Sequence, residues 1–458
     1  MTETPTLVWL RDDLRVGDNP ALHAAVERGH PIVVFYLHDD ESEGLRAIGG
    51  ASAWWLHHSL AALADELESR GSTLVLRRGA AEKELPRLVK ETGASAVYWN
   101  RRYGGASREI DARIKASLRD DEVEAHSFHA NLLHEPWTVQ TGDGRPFRVF
   151  TPFWKASLAK DDPREPYPAP KKIDGGTAPA SDSLDDWGLL PTAPDWAGGL
   201  RETWTPGEEG AWKQLDAFID DSLEDYESHR DEPAVDATSR LSPRLRWGEL
   251  SPFQIWHHVR ARATTAAQKK NASAFLREVG WRDFNYNILF HFPDLASKNF
   301  RPSFDVFPWE KPKKRELEAW QEGRTGIPLV DAGMRELWHT GVMHNRIRMV
   351  TASFLIKNLL IDWRVGEEWF WDCLVDADEA NNPANWQWVA GSGADAAPYF
   401  RIFNPVLQAD KFDKSRRYQS KWIPELGTDD YPEPIVDLKK SRQEALDAYE
   451  VVKREGNG

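Results

Sequence analysis

One cysteine, Cys373, stands in 458 residues. That excludes disulfides within the chain and any zinc site built on several thiolates. No apolar run reaches the roughly 20 residues of a membrane span, and no signal-peptide pattern opens the chain. A cytoplasmic monomer without membrane contact is expected. Positive charge is also short: 58 Lys and Arg against 73 Asp and Glu leave a net charge of −15. A nucleic-acid partner would therefore need a local basic patch on an acidic surface. Adaptation to high salt would give the same balance. No Walker A loop or zincin motif is present. Gly391-Ser392-Gly393-Ala394-Asp395-Ala396 fits GxGxxA, but that fingerprint needs a preceding strand. Here it follows a helical pattern, so it is rejected. His57-His58 and the pair His126 and His129 lack further ligands, so no metal site is expected.

What the chain has in excess is tryptophan, 22 in all, and core packing explains most indoles. Over residues 1–130 short apolar runs alternate with helix-like segments. Strands are expected at 6–10, 31–38, 73–77 and 96–100, with a fifth at 122–129. Crossover helices are expected at 19–29, 51–70, 80–92 and 106–119. This pattern predicts a doubly wound α/β domain with a parallel sheet. Residues 131–209 lose periodicity and are punctuated by proline; they read as a linker with short helical pieces such as 151–158. From 210 to 458 helical periodicity takes over, which predicts an all-α domain.

The densest chemistry lies in residues 375–405. Asp376 and Asp378 are two apart, so a regular helix would split them, which suggests a turn aiming both carboxylates at a ligand. Asn382 suits an N-cap and Pro383 the first helical turn. Trp386 and Trp388 then fall roughly 200° apart, one facing inward and one outward. Upstream, Thr238-Ser239-Arg240-Leu241-Ser242-Pro243 places hydroxyls and an arginine before a helical segment, a set suited to a pyrophosphate. Tyr226 and Arg230 share the end of an amphipathic segment at 211–229. Glu278 and Trp281 share a helix face, which suits stacking and edge recognition of an extruded base. Asn345 and Met349 also share a face, on a helix expected to run to about residue 362. Arg346 and Arg348 flank that face. Arg401, Lys411, Lys414, Arg416, Arg417 and Lys421 form a basic run interleaved with Phe412, Tyr418 and Trp422, which reads as the phosphate-contacting rim of a groove.

Together these motifs, with the opening Arg11, Asp12, Leu14, Arg15 and Asn19, resemble the DNA photolyase/cryptochrome family, closest to its class I cyclobutane pyrimidine dimer photolyases. The resemblance covers nearly the whole chain. It implies an N-terminal α/β domain and a helical domain holding FAD. Tyr226, Thr238, Ser239, Arg240, Leu241, Ser242, Phe275, Asn345, Arg348, Asp376, Asp378 and Asn382 would contact the cofactor, with Phe275 replacing a common tryptophan. Arg348 would pair with Asp376. Arg230, Glu278, Trp281, Asn345, Arg346, Met349, Trp388, Arg401 and Lys411 would contact DNA. Val342 departs from the tryptophan common at its position. Glu278 and Asn382 would be the catalytic groups, and Trp309, Trp363 and Trp386 would pass electrons to the flavin.

The function implied is blue-light-driven repair of cyclobutane pyrimidine dimers. An electron passes from excited reduced FAD to a dimer flipped out of damaged DNA. That makes the protein a deoxyribodipyrimidine photo-lyase, a carbon-carbon lyase. Two alternatives stand beside it. A cryptochrome-type photoreceptor would keep FAD without repair, but plant cryptochromes usually carry aspartate at the position of Asn382. A six-four photoproduct photolyase would need a histidine pair not matched around His344-Asn345. An antenna chromophore, methenyltetrahydrofolate or a deazaflavin, could bind after the fourth strand, at Asn100-Arg101-Arg102-Tyr103. A plain strand-to-helix turn explains those residues equally well.

Overall fold

The computed structural model describes residues 4–396 and 400–456. Residues 397–399 of the 375–405 stretch lie outside the described residues. Five strands, β1 (Thr6–Leu10), β2 (Ile32–His38), β3 (Leu74–Arg78), β4 (Ala96–Asn100) and β5 (Glu124–Phe128), form one parallel sheet in the order β3-β2-β1-β4-β5. Helices α1 (Pro20–Arg28), α2 (Gly50–Ser69), α3 (Ala81–Thr92) and α4 (Gly105–Asp120) make the crossovers. The fifth strand is therefore present.

The sheet is apolar on both faces because helices cover both. Successive residues of β1 alternate between two cores. Val8 and Leu10 join one cluster; Leu7 and Trp9 join the other. Asn19 caps α1, its side chain accepting from the Leu22 amide.

The remaining chain is helical: α5 (Phe150–Leu158), α6 (Gly198–Thr203), α7 (Glu208–Asp221), α8 (Tyr226–His229), α9 (Ser242–Arg246), α10 (Pro252–Arg262) and α11 (Ala266–His291). There follow α12 (Lys314–Gln321), α13 (Pro328–Thr340), α14 (Asn345–Ser353), α15 (Trp363–Cys373), α16 (Asn381–Ala390), α17 (Pro405–Phe412), α18 (Arg417–Trp422) and α19 (Leu438–Glu455). None of the helices among the described residues is long and apolar enough to cross a membrane.

Two boundaries differ from expectation. The amphipathic segment 211–229 is broken by a 3-10 turn at Leu223–Asp225, which sets Tyr226 on a separate short helix. The helix bearing Asn345 and Met349 ends short of residue 362. It passes into a π-helical turn over Phe354–Asn358, where the buried Lys357 side-chain amine donates to the Ala390 carbonyl at 2.6 Å.

The two halves are clasped by backbone contacts that the opening motif makes. Arg15 is fully buried and donates to the carbonyls of Asp18, Ala130 and Gly248. The Leu14 amide donates to the Trp247 carbonyl at 3.0 Å. Gly248 has φ 64°, and a Cβ there would lie 2.2 Å from the Asp12 carbonyl oxygen, so the approach requires glycine. Trp247 and Val375 belong to the core beneath the sheet, and the Trp247 indole donates to the Val375 carbonyl.

A second clasp is Asp283 of α11. Its buried carboxyl accepts from the amides of Leu133 and His134 at 2.8 and 3.2 Å. Burial pushes this carboxyl up to about 7. Between its unfolded value, about 4, and 7 the folded state holds a proton that the unfolded chain has released, so stability falls as pH rises through this window. Asp283→Asn keeps an acceptor for both amides and removes the titration. The variant should melt a few degrees above the parent at pH 8, with the gap closing towards pH 4–5. A gap independent of pH would contradict this assignment.

Candidate functional site

A cavity of about 660 Å³ opens between α8, α9, α11, α14 and α16. Its walls include Tyr226, Arg230, the Thr238-to-Ser242 loop, Phe275, Glu278, Trp281, Asn345, Arg348, Met349, Asp376, Asp378, Asn382, Trp386, Trp388 and Arg401. Of the residues that the resemblance assigns to cofactor, DNA, catalysis or electron transfer, Trp309, Trp363, Arg346 and Lys411 lie off it. Long-range folding thus brings together groups spread over some 175 positions of chain.

The floor is built around Asp376. Its carboxylate accepts from Arg348 at 2.8 and 3.2 Å and from the Ser242 hydroxyl at 2.6 Å, and its side chain is 3% exposed. Arg348 is steadied by donating to the Met343 carbonyl. Arg240 adopts φ 49°, a left-handed bend that turns the hydroxyl loop into α9.

Asp378 points the other way along the chain. It accepts from the amides of Ala380 and Asn381 and from the Asn381 side chain. This carboxylate, not Asn382, satisfies the start of α16, where the free amides and helix dipole favour negative charge. Asn382 lies inside the helix. Its amide nitrogen donates to the carbonyl and carboxylate of Glu367 at 3.0 and 2.8 Å. Glu367 is 3% exposed and is gripped by both terminal nitrogens of Arg46 at 2.7 and 2.9 Å. Arg46 comes from the α/β half. Neither partner of Asn382 was found from the sequence, because only the tertiary fold brings residue 46 to residue 367.

The opposite wall is aromatic and charged. Glu278 pairs with Arg230 at 2.7 Å, and the Arg230 guanidinium lies 5.2 Å from the Tyr226 ring centre. Phe275 packs against the rings of Phe218 and Tyr226. Trp281 is half-buried and stacks on Phe150 at 3.8 Å with planes 11° apart. Asn345 lies 4.0 Å from the Met349 sulfur, as their shared face requires. Trp388 is half-buried, with the Arg401 guanidinium 5.0 Å from its ring. Val342 lines the cavity and packs on the core under the sheet.

Trp386 is 3% exposed and meets Phe370 at 4.9 Å and Trp320 at 6.3 Å. Trp386 also packs directly on Gly366, where a Cβ would fall 2.2 Å from its ring. Glycine is required for that contact. Trp363 is fully buried and donates to Asn299. Trp309 is half-buried against Phe307, its rings 4.2 Å away. Trp320 went unnoticed in the sequence because no motif marks it.

Of the basic run, Arg401, Lys411, Lys414, Arg416, Arg417 and Lys421 are exposed, but Tyr418 is 2% exposed and donates to Glu336. It belongs to the core, not to a stacking surface. Arg346 pairs with Asp231 at 2.7 Å and covers Phe412. His344 caps α14, accepting at Nδ1 from the Arg346 amide, while its buried Nε2 has no partner. Burial lowers this imidazole to about 4, so it is neutral at physiological pH. An unpartnered buried nitrogen on a cavity wall is what a polar ligand would satisfy.

The residues proposed for an antenna are occupied internally. Asn100 bonds Asp13 and Asn19, Arg101 pairs with Glu135, Arg102 faces Asp111, and Tyr103 is 2% exposed. Among the described residues no group of three or more His, Cys, Asp or Glu could hold a metal ion. Gly391 of the GxGxxA run has φ 99° and terminates α16.

The family described as FAD binding domain of DNA photolyase matches residues 275–429, and the family described as DNA photolyase matches residues 6–171. The deoxyribodipyrimidine photo-lyase of Agrobacterium fabrum is 50% identical, covering 98% of each chain. Cryptochrome-1 of Arabidopsis thaliana is 38% identical over 92% of this chain and 63% of its own. The crystal structure of a bacterial class III photolyase from Agrobacterium tumefaciens superposes with a TM-score of 0.94 at 49% identity, covering 99% of this chain and 98% of that one.

The Arg348–Asp376 pair yields a direct test. Removing one partner of a buried pair leaves a charge without compensation and costs about 3–5 kcal/mol. Arg348→Ala should lose stability on that order in urea unfolding. Combining it with Asp376→Ala should cost clearly less than the two single losses added together. Simple additivity would show that the pair does not act as a unit.

Proposed function

The chain belongs to the DNA photolyase/cryptochrome family, and from that premise we propose that it is a deoxyribodipyrimidine photo-lyase. It would hold FAD in the cavity and repair cyclobutane pyrimidine dimers in DNA under blue light. One observation carries the reading. A single cavity joins a hydroxyl- and arginine-lined end to an end walled by Trp281, Trp388, Met349 and Glu278. The 49% identity over 99% of the chain to the class III photolyase of Agrobacterium tumefaciens favours class III over the class I placement expected from the motifs.

The residues present fit FAD. The Thr238-to-Ser242 loop, Tyr226 and Phe275 would hold it from one side, and Arg348, Asp376, Asp378 and Asn382 from the other. When bound, FAD supplies the light absorption and the electron that is lent to the dimer and recovered. The chain's own groups position and shield. Arg348 sets a positive charge against the cavity floor, which favours a ligand carrying negative charge there. Asn382 has its amide nitrogen committed to Glu367, so its carbonyl oxygen is the atom left for a ligand. Trp281 and Trp388 supply ring faces to an extruded pyrimidine dimer, whose removal from the helix costs least where damage has already weakened stacking. Glu278 has one carboxylate oxygen on Arg230 and the other left to read a base edge. The exposed basic residues from Arg401 onwards supply backbone contacts that the net charge of −15 otherwise disfavours.

A photoreceptor without repair is the second reading, favoured by the likeness to cryptochrome-1. It gives no account of Glu278, Trp281 and Met349 sharing the cavity with the cofactor loop. A six-four enzyme would need a histidine pair, which is not matched around His344-Asn345. An antenna, methenyltetrahydrofolate or a deazaflavin, is kept as an expectation of the family, without residues assigned to it.

Reduced, illuminated protein should bind dimer-containing oligonucleotide in preference to undamaged DNA and restore thymine absorbance. Equal binding and no restored absorbance would defeat the repair reading. Trp386→Phe should block photoreduction of oxidised flavin by at least tenfold while sparing repair by chemically reduced protein. Loss of both together would contradict separate roles for Trp386 and the substrate wall.

A further inference from the structure

Outside the main cavity a second cleft of about 430 Å³ lies between α5 and α11. Its walls are Phe150, Trp154, Lys155, Leu158, Ala159 and Arg277. It shares a partition with the substrate end of the cavity. Phe150 is fully buried, with Trp281 stacked on it at 3.8 Å and Trp154 near-parallel to it at 6.3 Å, planes 12° apart. One ring therefore separates the cleft from the indole assigned to the extruded dimer. α5 is pressed so close to α11 that a Cβ at Gly280 would lie 2.4 Å from the Trp154 ring, which fixes the indole in place.

The cleft is built for something flat and anionic. Trp154 is half-buried, Leu158 is 54% exposed, and together they make an apolar shelf. Lys155 and Arg277 are exposed on either side of it. Neither forms an ion pair or a side-chain hydrogen bond among the described residues, and Arg277 leans over the Phe150 ring at 5.5 Å. Arg277 also lies within the field of the Asp395 carboxylate. An aromatic shelf flanked by exposed cations is the recognition chemistry of single-stranded nucleic acid: stacking for the base, charge for the phosphates.

We propose that this cleft binds an unstacked nucleotide that flanks the lesion on the damaged strand. The base rests on Trp154 and Leu158, and its phosphates meet Lys155 and Arg277. The inference rests on the repair reading, since continuity with Trp281 is what assigns the strand. It predicts that the protein grips a lesion in single-stranded or frayed DNA through a contact that intact duplex cannot make, because a paired flanking base is not free to reach the shelf.

The test uses oxidised full-length protein carrying Trp386→Phe, which binds without being photoreduced under the crosslinking light and so does not repair. Single-stranded oligonucleotides carry one dimer and one 5-iododeoxyuridine, stepped through the positions on either side. Under long-wave ultraviolet light a stacked iodouracil crosslinks to its aromatic neighbour. One or two adjacent positions should crosslink to the peptide holding Trp154. Trp154→Ala should abolish that crosslink and weaken single-strand affinity about tenfold, with a smaller loss on duplex. Lys155→Gln and Arg277→Gln should each flatten the salt dependence of binding by about 0.7 in log-log slope. Retention of FAD absorbance by each variant shows that it is folded. If the dimer is bound yet no position crosslinks to Trp154, or the variants bind and respond to salt like the parent, the shelf is overturned and the repair reading stands. If no dimer is bound at all, the repair reading fails and the shelf falls with it.

Discussion

The guanidinium of Arg348 and the carboxylate of Asp376 meet on the cavity floor, the arginine side chain 27% exposed and the aspartate 3%, and the geometry of the cavity follows from that meeting. Parting them would leave the nearly buried carboxylate without its cation, which holds the two at a fixed separation. Three segments converge on it: α14 brings Arg348, α9 brings Ser242, and the turn before α16 brings Asp376. Two residues on, Asp378 fixes the start of α16 and so the directions of Trp386 and Trp388. A three-residue stretch thereby directs Trp386 into the helical core against Phe370 and leaves Trp388 half-buried beside Arg401.

The α/β half contributes to the same site without lining it. Arg46 holds Glu367, and Glu367 holds the amide of Asn382. The clasp of Arg15, Gly248 and Trp247 keeps that long-range connection in register. Orientation of a side chain on the cavity wall is thus set by residues from both halves of the chain. This is the kind of second layer of contacts that holds a site to the tolerance its chemistry needs.

The strands, their order of appearance and the change from α/β to all-α were legible because their periods are strong: near-continuous apolar runs for buried parallel strands, helical spacing afterwards. The cavity residues were legible because their motifs are dense. What was not legible depended on distance. Asn382 suits an N-cap by local preference, but Asp378 reaches the free amides first and Glu367 claims the asparagine. Tyr418 looked like part of an aromatic-basic surface, yet Glu336 offers it a buried acceptor. The helix after Asn345 was expected to continue, and the π turn at Lys357 appears only once Ala390 is placed beside it. The cleft under Trp154 lay in a stretch where proline and lost periodicity hid any chemistry. In each case a partner far off in the sequence overrode a local preference.

The account holds that cofactor and lesion occupy two ends of one cavity. The most direct measurement is the absorption spectrum of protein-bound oxidised FAD, titrated with dimer-containing and then with undamaged oligonucleotide. The dimer should shift or sharpen the flavin bands at stoichiometric concentration, and undamaged DNA of the same sequence should not. An unperturbed flavin spectrum under saturating, tightly bound dimer would place the lesion outside the cavity and contradict the account.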